Sequence, residues 1–227
     1  MTETLRFTLL GDGPSDKVLL GPLRWLLESR VATRPISLIW ADLGRMHKPP
    51  GSLAERIEAA FAQYPCDLLF VHRDAEREPA EHRYAEIRKA SSSPGLPPIV
   101  CVVPVRVTEA WLLFDERALR LAAENPNGKV PLALPTIGGL EDSPDPKSIL
   151  HGLLREASGY HGRRLKKFRA EISAGQIVDH VGDFTPLRQL PSFAQLEADI
   201  DAIVQAQDWH LPLSADALTL PAVGRTA

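Results

Sequence analysis

The chain of 227 residues has only two cysteines, Cys66 and Cys101, each in or beside an apolar run and neither with a second cysteine at metal-ligand spacing. That argues against a structural zinc site and fits reduced thiols in the cytoplasm. No apolar stretch approaches the roughly 18 to 20 residues that span a bilayer, so no membrane partner is expected. The segment Met1-Thr2-Glu3-Thr4 is acidic and lacks the positive and apolar regions of a secretion signal. An excess of basic charge is also missing: 26 lysines and arginines face 29 acids, a formal net charge of -3. Contact with phosphates would therefore need a local basic patch or a bound cation. There is no Gly-x-Ser-x-Gly elbow, and Gly11 to Lys17 lacks the glycine-lysine spacing of a P-loop, so the chain is not expected to hydrolyse ATP by itself. His47, His82, His151, His161, His180 and His210 show no metal-ligand spacing, and no internal repeat is visible.

What the sequence does have is alternation. Strand-like runs at Arg6–Leu10, Ile36–Trp40, Leu68–His72 and Ile99–Val105 are separated by helical patterns, which predicts an α/β fold with a parallel sheet flanked by helices. Val18, Leu19, Leu23, Leu26 and Leu27 recur at helical spacing, with Pro22 set to kink that helix or delay its start. Ser52-Leu53-Ala54-Glu55 is a capping box ahead of a helix ending at Tyr64-Pro65, and a polar helix is predicted over Pro79–Lys89. Thr108 is placed to cap one short helix and Asp115 another. Residues 1–123 thus read as the α/β domain, and 124–146 as a connection rich in proline and glycine. Residues 147–207 read as a helical C-terminal part packed on the core, with helices opening at Asp145-Pro146 and running over Arg163–Ile172 and Ser192–Gln207, and 208–227 as an irregular tail.

Acidic residues cluster after two of the strand runs, in Gly11-Asp12-Gly13-Pro14-Ser15-Asp16 and His72-Arg73-Asp74-Ala75-Glu76. In a parallel sheet, ligands bind beyond the carboxyl ends of the strands, so Asp12, Asp16, Asp74, Glu76 and Glu109 are predicted to converge there. Carboxylates sharing one crevice repel unless cations neutralise them, and Mg²⁺ (or Mn²⁺) suits such oxygen ligands. The other reading of each acid is local: Asp12 and Asp16 capping a helix, Asp74 in a turn, Glu109 at a helix N-terminus. His72 is placed either to orient a ligand or as a hydrogen-bonded structural histidine.

These pieces resemble the TOPRIM fold of topoisomerases, primases and overcoming-lysogenization-defect nucleases, with an acid in a glycine-bounded turn after the first strand and an acidic pair after the third. More narrowly, the chain resembles an uncharacterised TOPRIM-like bacterial family often encoded beside AAA-type ATPases in phage-defence loci. That likeness also rests on Glu109-Ala110-Trp111-Leu112-Leu113, Asp145-Pro146-Lys147 and Pro191-Ser192-Phe193. The resemblance implies a Mg²⁺-dependent nuclease with a separately encoded ATPase partner, Asp12 as general acid/base, and Asp74 with Glu76 as metal ligands. Glu109 is a further candidate ligand. The chain departs from the family pattern in having aspartate where TOPRIM enzymes usually place glutamate; losing one methylene pulls the carboxylate back by about 1.5 Å, a shift that can weaken catalysis about 100-fold. Asp74-Ala75-Glu76 likewise replaces the usual pair of aspartates.

Arg163, Lys166 and Lys167 gather on one face of a predicted amphipathic helix, either as a solvated face or as a phosphate contact, and Lys147 is placed to reach a phosphate near the acids or to stay at the surface. Trp111 is read as core. A catalytically silent binding or sensor subunit of an ATPase complex is the alternative to a nuclease. A phospho-acceptor receiver domain also uses acids after strands one and three and a hydroxyl after strand four, here Thr108, but the sequence offers neither its fifth strand nor its lysine.

Overall fold

The computed structural model describes residues 4–31 and 33–210. Four strands, β1 (Leu5–Leu10), β2 (Ile36–Trp40), β3 (Leu68–His72) and β4 (Ile99–Val102), form one parallel sheet in the order β2-β1-β3-β4. From β1 the chain steps outward one way to β2 and the other way to β3. Such a reversal opens a crevice at the carboxyl ends of β1 and β3. The last paired strand is shorter than the sequence suggests: it ends at Val102, and Pro104, which has no backbone N–H to give a ladder, follows closely.

Strand side chains alternate between two cores, as a pleat requires. Leu5, Phe7, Leu9, Leu68, Phe70, Val100 and Val102 face one cluster, while Leu10, Leu69 and Val71 face the other. The second face is covered by α2 (Leu53–Gln63) and α3 (Ala80–Ala90), through Ile57, Ala60 and Ile87. The Ser52–Glu55 capping box forms as expected: Glu55 N–H donates to Ser52 Oγ at 3.2 Å and Ser52 N–H to Glu55 Oε2 at 3.0 Å.

The first face is covered by α1 (Leu20–Arg30) and by C-terminal helices. A 3-10 turn, Pro14–Leu19, precedes α1, so Pro22 falls in the first helical turn, where its missing N–H breaks no intrahelical bond. Further along lie α4 (Glu116–Ala122), α5 (Pro146–Ala157), α6 (Gly162–Lys167), α7 (Ala170–Gln176) and α8 (Pro191–Ala206). Asp115 and Asp145 cap α4 and α5, accepting from Ala118 N–H at 3.0 Å and Ser148 N–H at 2.9 Å. Leu119, Leu150, Leu154, Ile177, Phe193 and Leu196 belong to the same cluster as Phe7 and Leu9, so the C-terminal helices share the sheet's core. Trp111 lies in that cluster, 1% exposed, with its ring edge-on to Phe193 at 5.2 Å.

Two helical expectations change. The single helix predicted over Arg163–Ile172 is broken at Phe168, whose backbone is extended, leaving α6 and α7 as separate short helices. Thr108 opens a 3-10 turn, Thr108–Leu112, but does not cap it: its hydroxyl is engaged elsewhere. Of the expected irregular tail, residues 211–227 lie outside the described part. Trp209 is buried and sits edge-on against Phe7 at 5.6 Å. Among the described residues no helix is long and apolar enough to cross a membrane.

Candidate functional site

A crevice of about 170 Å³ opens at the carboxyl ends of β1, β3 and β4. Its lining brings together Asp16 from the 3-10 turn, Asp74 from the loop after β3, Thr108 and Glu109 from the turn after β4, and Lys147 from α5. On its far side α7 contributes Glu171 and Gly175, and α5 contributes His151. The wall opposite the sheet is thus built from the C-terminal part of the chain.

Asp16 is buried, and its Oδ2 accepts from the backbone N–H groups of Asp12 at 2.8 Å and Gly13 at 2.9 Å. The glycine-bounded turn is therefore wrapped around the carboxylate of Asp16. Gly11 is required there: a Cβ would lie 2.6 Å from the Trp40 ring and 2.9 Å from Asp16 Oδ2.

Asp74 Oδ1 accepts from both the backbone N–H and the hydroxyl of Thr108, at 2.9 and 3.1 Å. Burial pushes the Asp74 carboxyl up from its usual value to about 6; Asp16 and Glu109 add to the rise, while His72 and the Thr108 hydrogen bond oppose it. His72 is buried between the acids. Its Nδ1 lies 3.0 Å from the carbonyl oxygen of Val102, which can only accept, so Nδ1 carries a proton. Nε2 then faces Asp74 Oδ1 at 3.5 Å, Asp16 Oδ2 at 3.7 Å and Thr108 Oγ1 at 3.4 Å. An imidazole lone pair at Nε2 would point at two carboxylates, an arrangement that is electrostatically repulsive. On the outer side, Glu109 Oε1 pairs with Lys147 Nζ at 3.0 Å, and that partner raises the lysine's pKa.

Not every candidate acid joins this group. The Asp12 side chain is held by two arginines, Arg56 Nη1 at 2.8 Å and Arg73 Nε at 3.2 Å, and Arg56 also donates to the carbonyl of Gly11. Asp12 lines a separate hollow of about 230 Å³ beside Trp40, between the ends of β1 and β2. Glu76 is exposed, sits in the left-handed region at φ 56°, and lies 3.8 Å from Arg83. Arg83 and Arg73 both pair with Glu86, so Asp12 and Glu76 end on one arginine–glutamate network outside the crevice. Arg163, Lys166 and Lys167 lie exposed on α6 and do not line the crevice.

Sequence reasoning missed the roles of Arg56 and Arg73 and the contribution of α7. Only the position of Arg73 directly before Asp74 hints at a charge partner. The sequence marks Thr108 as a hydroxyl after the fourth strand but carries no sign of its double donation to Asp74.

Among the described residues, no three His, Cys, Asp or Glu side chains are grouped closely enough to hold a metal ion. Mg²⁺, however, is commonly held by one or two carboxylates, completed by waters and substrate phosphates. Asp16 and Asp74, which flank one histidine nitrogen and of which Asp16 raises the pKa of Asp74, match that smaller donor set. Comparison of the chain with protein-family models, with curated proteins and with solved structures finds no match.

Proposed function

We propose that the crevice hydrolyses nucleic-acid phosphodiesters with the help of Mg²⁺ or Mn²⁺, in a TOPRIM-like arrangement. The observation that carries this reading is Asp74: a carboxyl pushed up to about 6 by burial beside Asp16 and Glu109, at the carboxyl end of a central parallel strand. Acids assembled at that cost, in a place where α/β folds bind ligands, suit a cation and an anionic substrate.

In this reading Asp16 and Asp74 hold the cation, in place of the Asp74 and Glu76 pair that the family pattern suggests. When bound, the cation would supply Lewis-acid polarisation of a phosphoryl oxygen and a more acidic water. The remaining steps belong to the chain's own side chains. Lys147 Nζ, kept at the crevice by Glu109, meets the substrate phosphate and offsets charge developing on it. His72 Nε2, between Asp16 and Asp74, holds a proton or passes one on, with its ring fixed by the Val102 carbonyl. Thr108 orients Asp74. The family resemblance adds a separately encoded AAA-type ATPase as partner, phage defence as setting and the cytoplasm as location.

The direct test is cleavage of labelled single- and double-stranded DNA and RNA with Mn²⁺, by wild type and by Asp74→Ala. Loss of cleavage in the variant supports the reading; equal cleavage by both proteins, or none by either in the presence of the ATPase, refutes it. One observation favours a second reading, a catalytically silent subunit of an ATPase complex: Arg56 and Arg73 occupy Asp12, the acid to which the resemblance assigns proton transfer. Stable co-purification with an ATPase, without cleavage by the pair, would establish that role instead.

A further inference from the structure

The break at Phe168 that separates α6 from α7 leaves a hollow of about 410 Å³ on the side of α7 away from the crevice. Arg164, Lys167 and Arg169 line it, together with Tyr160 and Phe168. Glu124 is the one carboxylate among its lining residues. Five cations, Arg163, Arg164, Lys166, Lys167 and Arg169, fall within seven residues of a chain whose net charge is -3. Among the described residues no carboxylate lies within 4.0 Å of Arg163, Arg164, Lys166 or Lys167, and Arg169 meets only Glu171, at 3.9 Å. Like charges packed this closely on a six-residue helix oppose its formation, and among the described residues no carboxylate pairs with the four cations on it.

The hollow also has an apolar side. Tyr160 and Phe168 pack edge-on at 6.0 Å, both half-buried, and Ile172 beside them is 57% exposed. A cationic rim around aromatic rings is the combination that holds single strands: the rim takes the phosphates and a ring takes a base. A duplex keeps its bases stacked inside and has no use for the rings. An acidic peptide would answer the cations but not the rings.

We propose that this hollow binds a single strand of nucleic acid, with phosphates on Arg164, Lys167 and Arg169 and a base against Tyr160 and Phe168. DNA and RNA share that chemistry, and the experiment separates them. The hollow and the crevice sit on opposite faces of α7, with Ile172, Ser173 and Gln176 on one and Glu171, Ala174 and Gly175 on the other. A strand in the hollow is then about one helix diameter, roughly 10 Å, from the acids. The proposal stands apart from hydrolysis, because binding with divalent ions removed reads the hollow alone.

The test is fluorescence anisotropy of labelled single-stranded DNA and RNA of about 12 nucleotides, in EDTA, with the full chain. Three phosphate contacts predict a slope of about -2 for log affinity against log salt, or roughly a 20-fold loss from 50 to 200 mM. Arg164→Glu combined with Lys167→Glu should weaken binding more than about tenfold, with circular dichroism unchanged because both sites are exposed. Tyr160→Ala should cost about tenfold and Tyr160→Phe nothing. Three outcomes would overturn the proposal: no binding by the folded wild type, wild-type binding by the charge-reversed variant, or equal binding of duplex and single strand with Tyr160→Ala indifferent. The first two leave any Asp74-dependent cleavage standing, so failure here and failure of the hydrolysis reading are separate results.

Discussion

Thr108 holds Asp74 through two donors, its backbone N–H at 2.9 Å and its hydroxyl at 3.1 Å, both on Oδ1. This pair joins the loop after β4 to the loop after β3 and sets which carboxylate oxygen remains for a ligand. It also opposes the burial that raises the Asp74 pKa.

Replacing Thr108 by Val keeps the volume and the backbone donor but removes the hydroxyl. The Asp74 carboxyl should then titrate above its value of about 6, because the hydrogen bond that favours its charged form is gone. Carboxyl ¹³C chemical shifts followed against pH measure this, and an unmoved midpoint would show the hydroxyl to be irrelevant. Stability should fall by roughly 1 kcal/mol.

Asp74 should make the cation-free protein less stable at neutral pH than its neutral counterpart. Its folded pKa of about 6 lies above the ordinary aspartate value of 3.8, so its contribution is fully present below that lower value and is lost as pH rises through 6. Asp74→Asn should therefore raise the melting temperature at pH 7.5, by an effect of at most about 3 kcal/mol, and lose that advantage as pH falls toward 3.8. Thermal unfolding in EDTA across this range is the check; an advantage that does not depend on pH would contradict it.

Mg²⁺ should raise the melting temperature more at pH 7.5 than at pH 5, because protonated Asp74 is a poorer ligand. Asp16→Asn should abolish this increment, whereas Asp12→Asn should retain most of it, since Asp12 is bound to Arg56 and Arg73. The opposite ranking would place the cation at Asp12 instead of Asp16. At a free Mg²⁺ concentration of about 100 times its dissociation constant, the gain is roughly 2.7 kcal/mol.

Trp111→Ala should cost about 3 to 5 kcal/mol and leave any nucleic-acid affinity unchanged. Its ring is 1% exposed, packs on Phe193, and donates from Nε1 to Ser192 Oγ at 3.3 Å. Denaturant unfolding and oligonucleotide binding of the one variant would separate a core residue from a stacking platform.

Much of this architecture is visible in short stretches of sequence. The four strands announce themselves as apolar runs flanked by turn residues, and the Ser52–Glu55 box and the Asp145 cap set helix starts through bonds spanning only three residues. Where local pattern misleads, a distant partner has intervened. The stripe of Leu165, Phe168 and Ile172 suits one helix, yet Phe168 leaves the helical path to pack against Tyr160, and Ile172 stays exposed. Thr108 has a good capping position, but the carboxylate of Asp74, 34 residues earlier, accepts from its hydroxyl.

The acids show the same division. That Asp12, Asp16, Asp74 and Glu109 would follow parallel strands was determined by the sequence alone, because strand period and turn chemistry act over a few residues. Which of them meet was decided only by the tertiary structure. Arg56, 44 residues away on α2, and Arg73 beyond β3 hold Asp12 outside, while α5 and α7 close over Asp16, Asp74 and Glu109. The reason is physical: a carboxylate goes to the nearest compensating charge or donor in space, and that neighbour exists only once the chain has folded.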